Sequence, residues 1–293
     1  MALSYNIQTS KSISLEDFIN KINLIVNPNE PKTLIECVEY SHMLSNNREF
    51  LAKFLNNQLE NFVDFQGNNN RSAQTITLYS NDNFYLRVNA WPKIKSSNGW
   101  ENNLYRTLQA HDHNFDFLTV GYLGEGYETE IWEYDYEKVG GYEGEKVDLK
   151  YLETTKLPKG KVMIYRASKD VHAQFPAEEY SVSINIMPNN KKVLKREQFW
   201  FTLDKKEIKS VAENVGTCRY LLFNLAKNMG NDKTLNLIEK ISINHKIPYV
   251  KVRAIETLSS LIKDKSIWKK YTDDSNPMLR NHARLFLENK ISF

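Results

Sequence analysis

Between Gln74 and Pro188 the chain breaks into short runs that each read as a β-strand: QTITLYS (74–80), FYLRVNAW (84–91), FDFLTVGYL (115–123), YETEIWEYD (127–135), KVDLKYLETT (146–155), GKVMIYRAS (160–168) and EYSVSINIM (179–187). Turn residues separate them, with Gly124-Glu125-Gly126 forming a hairpin and Gly140-Gly141 and Gly144 marking a second connection. Many short strands at this spacing leave an all-β barrel or sandwich as the solution, and a barrel is the expectation. The aromatic content of 12%, with 16 Tyr and 14 Phe, supplies the large side chains such an interior needs.

Helical periodicity flanks this segment on both sides. Ser14 with Asp17 forms a capping box ahead of Leu15, Phe18, Ile19 and Ile22. Further helices are expected from near Pro31 and from Arg48 to Phe62, and GNNNRS (67–72) reads as a loop. Beyond about Lys205 the pattern turns helical again, with apolar positions at Val211, Val215, Leu221, Leu222 and Leu225, then Leu235, Leu237, Ile238 and Ile241. The expected organisation is α+β: an N-terminal helical segment (1–73), a β-barrel domain (74–200) and a C-terminal helical domain (201–293). The segments IPYVKVRAIETLSSLI (247–262) and NPMLRNHARLFLENKI (276–291) share a proline entry and an Arg, Ala and Leu in similar order, and so resemble helices of HEAT-type repeats.

Charge narrows the partners. The 39 basic residues are interleaved with 36 acidic ones for a net charge of +3, so no global field draws the chain to nucleic acid or a membrane. KKVLKR (191–196) is short enough to be a solvated linker. The N-terminus lacks the apolar core of a secretion signal, and no stretch approaches the ~20 apolar residues that span a bilayer. Cys37 and Cys218 are far apart and without metal-ligand spacing, so both are expected to be reduced thiols in a cytoplasmic protein.

Six histidines occur, at 42, 111, 113, 172, 245 and 282, and three of them fall in the β segment. His111-Asp112-His113 puts two imidazoles on one face of an extended chain. His172 follows 172 − 113 = 59 residues later, far enough to return across a barrel, and is read as lying immediately before a strand. Three neutral imidazoles hold a divalent ion while leaving positions open, which suits a catalytic metal; iron, zinc, nickel and copper all accept this donor set. His42, His245 and His282 sit alone in helical patterns and are expected to be structural.

The His-x-His with a later third His resembles the metal site of the cupin superfamily, and the cysteine dioxygenase group in particular. YLRVN (85–89) is similar to that group's Tyr-x-Arg segment, HDH (111–113) to its first ligands, and His172 with SVSINIMP (181–188) to its third ligand and following strand. The resemblance implies Fe(2+) on His111, His113 and His172, with Arg87 binding a substrate carboxylate beside Tyr85. It further implies O2 and a small thiol, amino acid or peptide as reactants, acted on by an iron(II)-dependent oxygenase. There are departures: Leu118 stands where cupins carry a Glu, and Ser183, Asn185 and Met187 replace the group's Ser, His and Tyr. Proton handling would then fall to other groups, the candidates being Tyr165, Arg166 and the carboxylates Glu128, Glu130 and Glu133. The C-terminal helices are expected to contact a protein partner or a second copy. A metal- or ligand-binding cupin without turnover is the alternative.

Overall fold

Side chains alternate along each strand, so every strand divides its residues between two environments. The computed structural model describes residues 3–61, 74–94, 108–190, 193, 195–212 and 218–291, and GNNNRS lies outside them. The chain divides into two units, Met1–Glu133 with Lys150–Lys191, and Tyr134–Leu149 with Lys192–Phe293. Among the described residues no helix is long and apolar enough to cross a membrane.

The first unit holds β1 (Leu3–Tyr5), β2 (Thr75–Ser80), β3 (Phe84–Trp91), β4 (His111–Asp112), β5 (Phe117–Leu123), β6 (Glu128–Glu133), β7 (Lys150–Lys156), β8 (Val162–Tyr165), β9 (Asp170–Gln174) and β10 (Ser181–Pro188). One antiparallel sheet runs β1-β8-β5-β10-β3-β2, and a second contains β4-β9-β6-β7. The expected closed barrel is therefore corrected to two antiparallel sheets. Each of the seven runs contains a strand, whereas β1, β4 and β9 lie outside them; spacing along a chain does not say whether the outer strands join, and among the described residues β1, β2 and β7 remain edges.

Helices α1 (Leu15–Ile25), α2 (Thr33–Glu36), α3 (Val38–Asn46) and α4 (Phe50–Glu60) belong to the same unit. The Ser14 hydroxyl accepts the Asp17 N–H at 3.0 Å and starts α1 where the capping box predicted. Phe18, Ile22, Leu34 and Leu44 pack on the outer face of the first sheet, against Leu86, Leu118, Val120 and Ile184. The inner face of that sheet contributes Trp91, Phe117, Met163, Tyr165 and Met187 to a second core, which Tyr127 and Ile131 join. Cys37 is buried in the helical core, and burial, with Glu36 adding to it, pushes its thiol up to about 12, which makes it inert.

The second unit contains the hairpin β11 (Phe199–Thr202) and β12 (Glu207–Val211), then α5 (Cys218–Met229), α6 (Asp232–Asn244), α7 (Pro248–Ile262), a 3-10 segment (Ser266–Tyr271) and α8 (Pro277–Leu287). Helix beyond Lys205 thus begins later than expected, because EIKSV pairs as a strand. The two similar C-terminal segments each form one helix, α7 and α8. Their starts are 277 − 248 = 29 residues apart, with a 3-10 segment between. Fully buried Trp268 centres their core with Tyr249, Ile255 and Phe286.

Glu197 is buried in this unit, and burial raises its pKa to about 7 against the opposing pull of Arg253. A carboxyl whose folded pKa lies above its unfolded value near 4.5 binds more protons in the native state, so its contribution to stability falls as pH rises from about 4.5 through 7. Glu197→Gln should therefore gain on wild type across that window, a difference read from paired melting curves at pH 5 and pH 8; equal differences at both would contradict it.

Candidate metal centre

His111 and His172 face each other as register partners on β4 and β9. His113 follows two residues after His111, and the three rings gather with centroids 4.4 Å apart for His111–His172, 4.8 Å for His111–His113 and 5.1 Å for His113–His172. One ligand nitrogen from each lies within 4.8 Å of the others. His172 sits in the middle of its own strand, not ahead of one as the sequence suggested, because DVHAQ pairs with both β4 and β6.

The ring chemistry suits an ion. His111 Nδ1 lies 2.8 Å from the Gln109 carbonyl; an N–H assigned there fixes the tautomer and leaves Nε2 to bind. His172 is completely buried, and neither ring nitrogen has a hydrogen-bond partner among the described residues. Burial, and then the charge of His111, lowers its pKa well below the ordinary value, so the ring is the neutral form that ligates. A buried polar ring left unsatisfied costs about 1–3 kcal/mol. Coordination removes that cost, and the residues present therefore fit a divalent metal.

The turn from β8 to β9 locks this geometry. Ser168, in the left-handed region at φ 51°, donates its N–H to the His113 carbonyl at 2.6 Å, and Ala167 N–H donates to Asp116 Oδ1 at 3.1 Å. Buried Asp170 accepts the Arg166 N–H at 2.7 Å and its Nε–H at 3.1 Å, while Arg166 Nη2 reaches Glu133 at 2.9 Å. Arg166 is thus engaged by the turn and β6 and is not brought to the imidazoles. Tyr165 is: its ring lies 4.7 Å from that of His172 and stacks on Phe117 at 4.8 Å. Its phenol is buried among the hydroxyls of Tyr127 and Thr129, and burial, with Tyr127 adding to it, raises its pKa well above 10.

Alternation sorts the other candidates. On β3, Leu86 and Val88 enter the helical core, while Tyr85 packs against the inner core and the charge of Arg87 is felt by Tyr127. On β6, Thr129 and Ile131 are buried and Glu128 and Glu130 alternate with them, so these two carboxylates do not join the histidines; Glu133 is taken by Arg166 and Lys169. Leu118 lies in the helical core, so the residue at the cupin Glu position faces away from the metal, and its neighbours Phe117 and Thr119 face in.

Several interior residues escaped the sequence reading. Thr119 donates to Asn185 Oδ1 at 2.8 Å, Trp91 Nε1–H donates to Ser183 at 3.0 Å, and Tyr127 lies 4.0 Å from Trp91. Counting every second residue from Phe117 and from Ile131 would have found Thr119, Thr129 and Tyr127. The remaining histidines meet backbone: His42 Nδ1 with the Gly160 carbonyl at 2.7 Å, His282 Nδ1 with that of Met278 at 2.8 Å, and His245 Nδ1 accepting from Ile247 N–H at 3.2 Å.

No protein-family model and no curated protein matches the chain. Among solved structures it is similar to a cupin domain from Bordetella pertussis, at 13% identity over 40% of this chain and 93% of that one, with a TM-score of 0.24. It is also similar to hydroquinone 1,2-dioxygenase from Sphingomonas (8% identity, 42% and 69% covered, TM-score 0.28). A third is salicylate 1,2-dioxygenase from Pseudaminobacter salicylatoxidans (11% identity, 46% and 33% covered, TM-score 0.25). At these identities and scores the neighbours leave the site's chemistry to be argued from its own geometry.

Proposed function

We propose that the first unit is a mononuclear iron(II)-dependent oxygenase of cupin type, resembling cysteine dioxygenase, that acts on a small thiol, amino acid or peptide bearing an anionic group. The observation that carries this reading is the convergence of three imidazoles, with both nitrogens of fully buried His172 lacking a partner among the described residues. Iron(II) on His111, His113 and His172 would supply the electrons and the open positions that O2 chemistry requires. Arg87, on the strand beside Asn185, would hold the substrate's anionic group, with Tyr85 on the same wall. The Tyr165 phenol, kept protonated by burial, would donate a hydrogen bond where charge develops, and Phe117, Met163 and Met187 exclude water around it. Arg166 then serves by holding the turn that presents His172. The reading places the protein in the cytoplasm and gives the C-terminal helices to a protein partner or a second copy.

The test is elemental analysis of anaerobically purified protein joined to O2-uptake screening against thiol, amino-acid and peptide pools. Stoichiometric iron and substrate-dependent uptake are expected. For a substrate found this way, Arg87→Met should raise KM by roughly 10–100-fold, the worth of a charge-assisted hydrogen bond, with metal content unchanged. An unchanged KM removes Arg87 from the substrate site. A second reading, a metal-binding protein without turnover, is favoured by Ser183, Asn185 and Met187 standing where the dioxygenase group uses Ser, His and Tyr; iron content without uptake from any pool would select it.

A further inference from the structure

The second unit contains a cavity of about 610 Å3 that the oxygenase reading does not use. Its wall is built from four stretches: the segment around Tyr136, residues 195–196, the α6–α7 junction from Asn244 to Tyr249, and the start of α8. Val139, Ile247, Pro248 and Met278 give it an apolar floor, and Tyr136 and Tyr249 add flat aromatic surface. A half-enclosed space of this volume, mostly apolar with a few polar groups, has the dimensions of a small-molecule site, which run from about 300 to 1,000 Å3.

The charges lining it are predominantly positive. Lys195, Arg196 and Lys246 line the cavity against the single carboxylate of Glu137, which already pairs with Arg196. The Arg196 guanidinium also covers the Tyr136 ring, 4.9 Å from its centroid, and a second guanidinium, that of Arg219, donates to the Tyr249 hydroxyl at 2.6 Å. Lys195 and Lys246 are exposed, so their charge is available to a ligand. α7 begins in this wall, and its N-cap Ile247 offers no capping side chain, so the positive end of a 15-residue helix adds to the same field.

We propose that this cavity binds a small organic anion with a flat apolar body, the body lying on the tyrosine and aliphatic floor and the carboxylate, sulfonate or phosphate meeting Lys195, Arg196 and Lys246. The site is independent of the three histidines, and its occupant is a different molecule from the oxygenase substrate.

The test uses two dyes that differ only in the anionic group, anilinonaphthalene sulfonate and its neutral parent phenylnaphthylamine, titrated into the full chain by fluorescence at low salt. The sulfonate should bind on the order of tenfold more tightly than the neutral dye, and added salt should erode that preference. Lys195→Ala with Lys246→Ala, both at exposed positions that folding does not need, should bring the sulfonate down to the neutral dye's affinity and leave the neutral dye unchanged. Arg87→Ala should alter neither dye, which separates this site from the interior of the first unit. Equal affinities for the two dyes, or a sulfonate affinity that survives the lysine changes, overturns the proposal. So does self-association of the chain that the same lysine changes abolish, which would give the cavity to a second copy.

Discussion

His172→Ala should lose bound metal altogether and, with it, every metal-dependent property of the first unit. In the structure this ring is the most buried of the three, it pairs in register with His111, and its nitrogens have no partner among the described residues. Loss of an outer-sphere partner alone weakens a metal site by about 10–100-fold, so removal of one of three ligands should exceed the upper figure. A ligand present at ~1,000 times its dissociation constant stabilises the folded form by about 4 kcal/mol. At roughly 2–4 °C per kcal/mol, the melting transition of the wild-type unit should rise by roughly 8–16 °C on adding iron(II) or zinc. The variant should not respond. Equal metal stoichiometry and an equal shift in wild type and variant would remove the three-histidine centre, and the oxygenase reading with it.

That result also bears on why the ring is so deeply placed. An imidazole with two unsatisfied nitrogens opposes folding in the metal-free chain, and burial holds it neutral. Such a group is tolerated where binding later repays the cost. A wholly structural histidine would look like His42, which reaches carbonyls of Gly160 and Thr9.

The convergence of the three histidines could be read from the chain because they obey two simple rules. His-x-His shares one face of an extended strand, and a third His across a β segment can return to it; both rules depend only on alternation and strand length. The face assignments were harder. Glu128 and Glu130 share a face by alternation, yet nothing local says which face is inward, and buried Thr129 and Ile131 take it. Leu118 marks the same difficulty on β5, where six residues in a row, Phe117 to Tyr122, are buried, so both faces are covered, one by helices and one by the second sheet. Closure of the barrel is a long-range property, and the spacing of strands along the chain does not carry it.

Asp170→Ala should be the most damaging substitution outside the ligands, destabilising the first unit by about 3–5 kcal/mol. The carboxylate is 1% exposed and accepts both the backbone N–H and the guanidinium of Arg166, which itself is only partly exposed and bridges to Glu133. Removing it leaves a guanidinium with one partner and a turn without its central acceptor. Two residues further on is His172, so the damage should reach the metal as a loss of about 10–100-fold in affinity, the scale of an outer-sphere positioning group. Asp170→Asn keeps an acceptor for the backbone N–H and should fall between wild type and alanine in both readouts. Arg166→Leu combined with Asp170→Val removes both charges and fills their space, and should recover a large part of the stability lost in the alanine variant, because the penalty is chiefly that of a stranded partner. Chemical denaturation with and without metal measures all three. A loss below about 1 kcal/mol for Asp170→Ala would mean that water replaces the carboxylate freely, and the turn would then be held by Ser168 on the His113 carbonyl and by Asp116 on Ala167 alone.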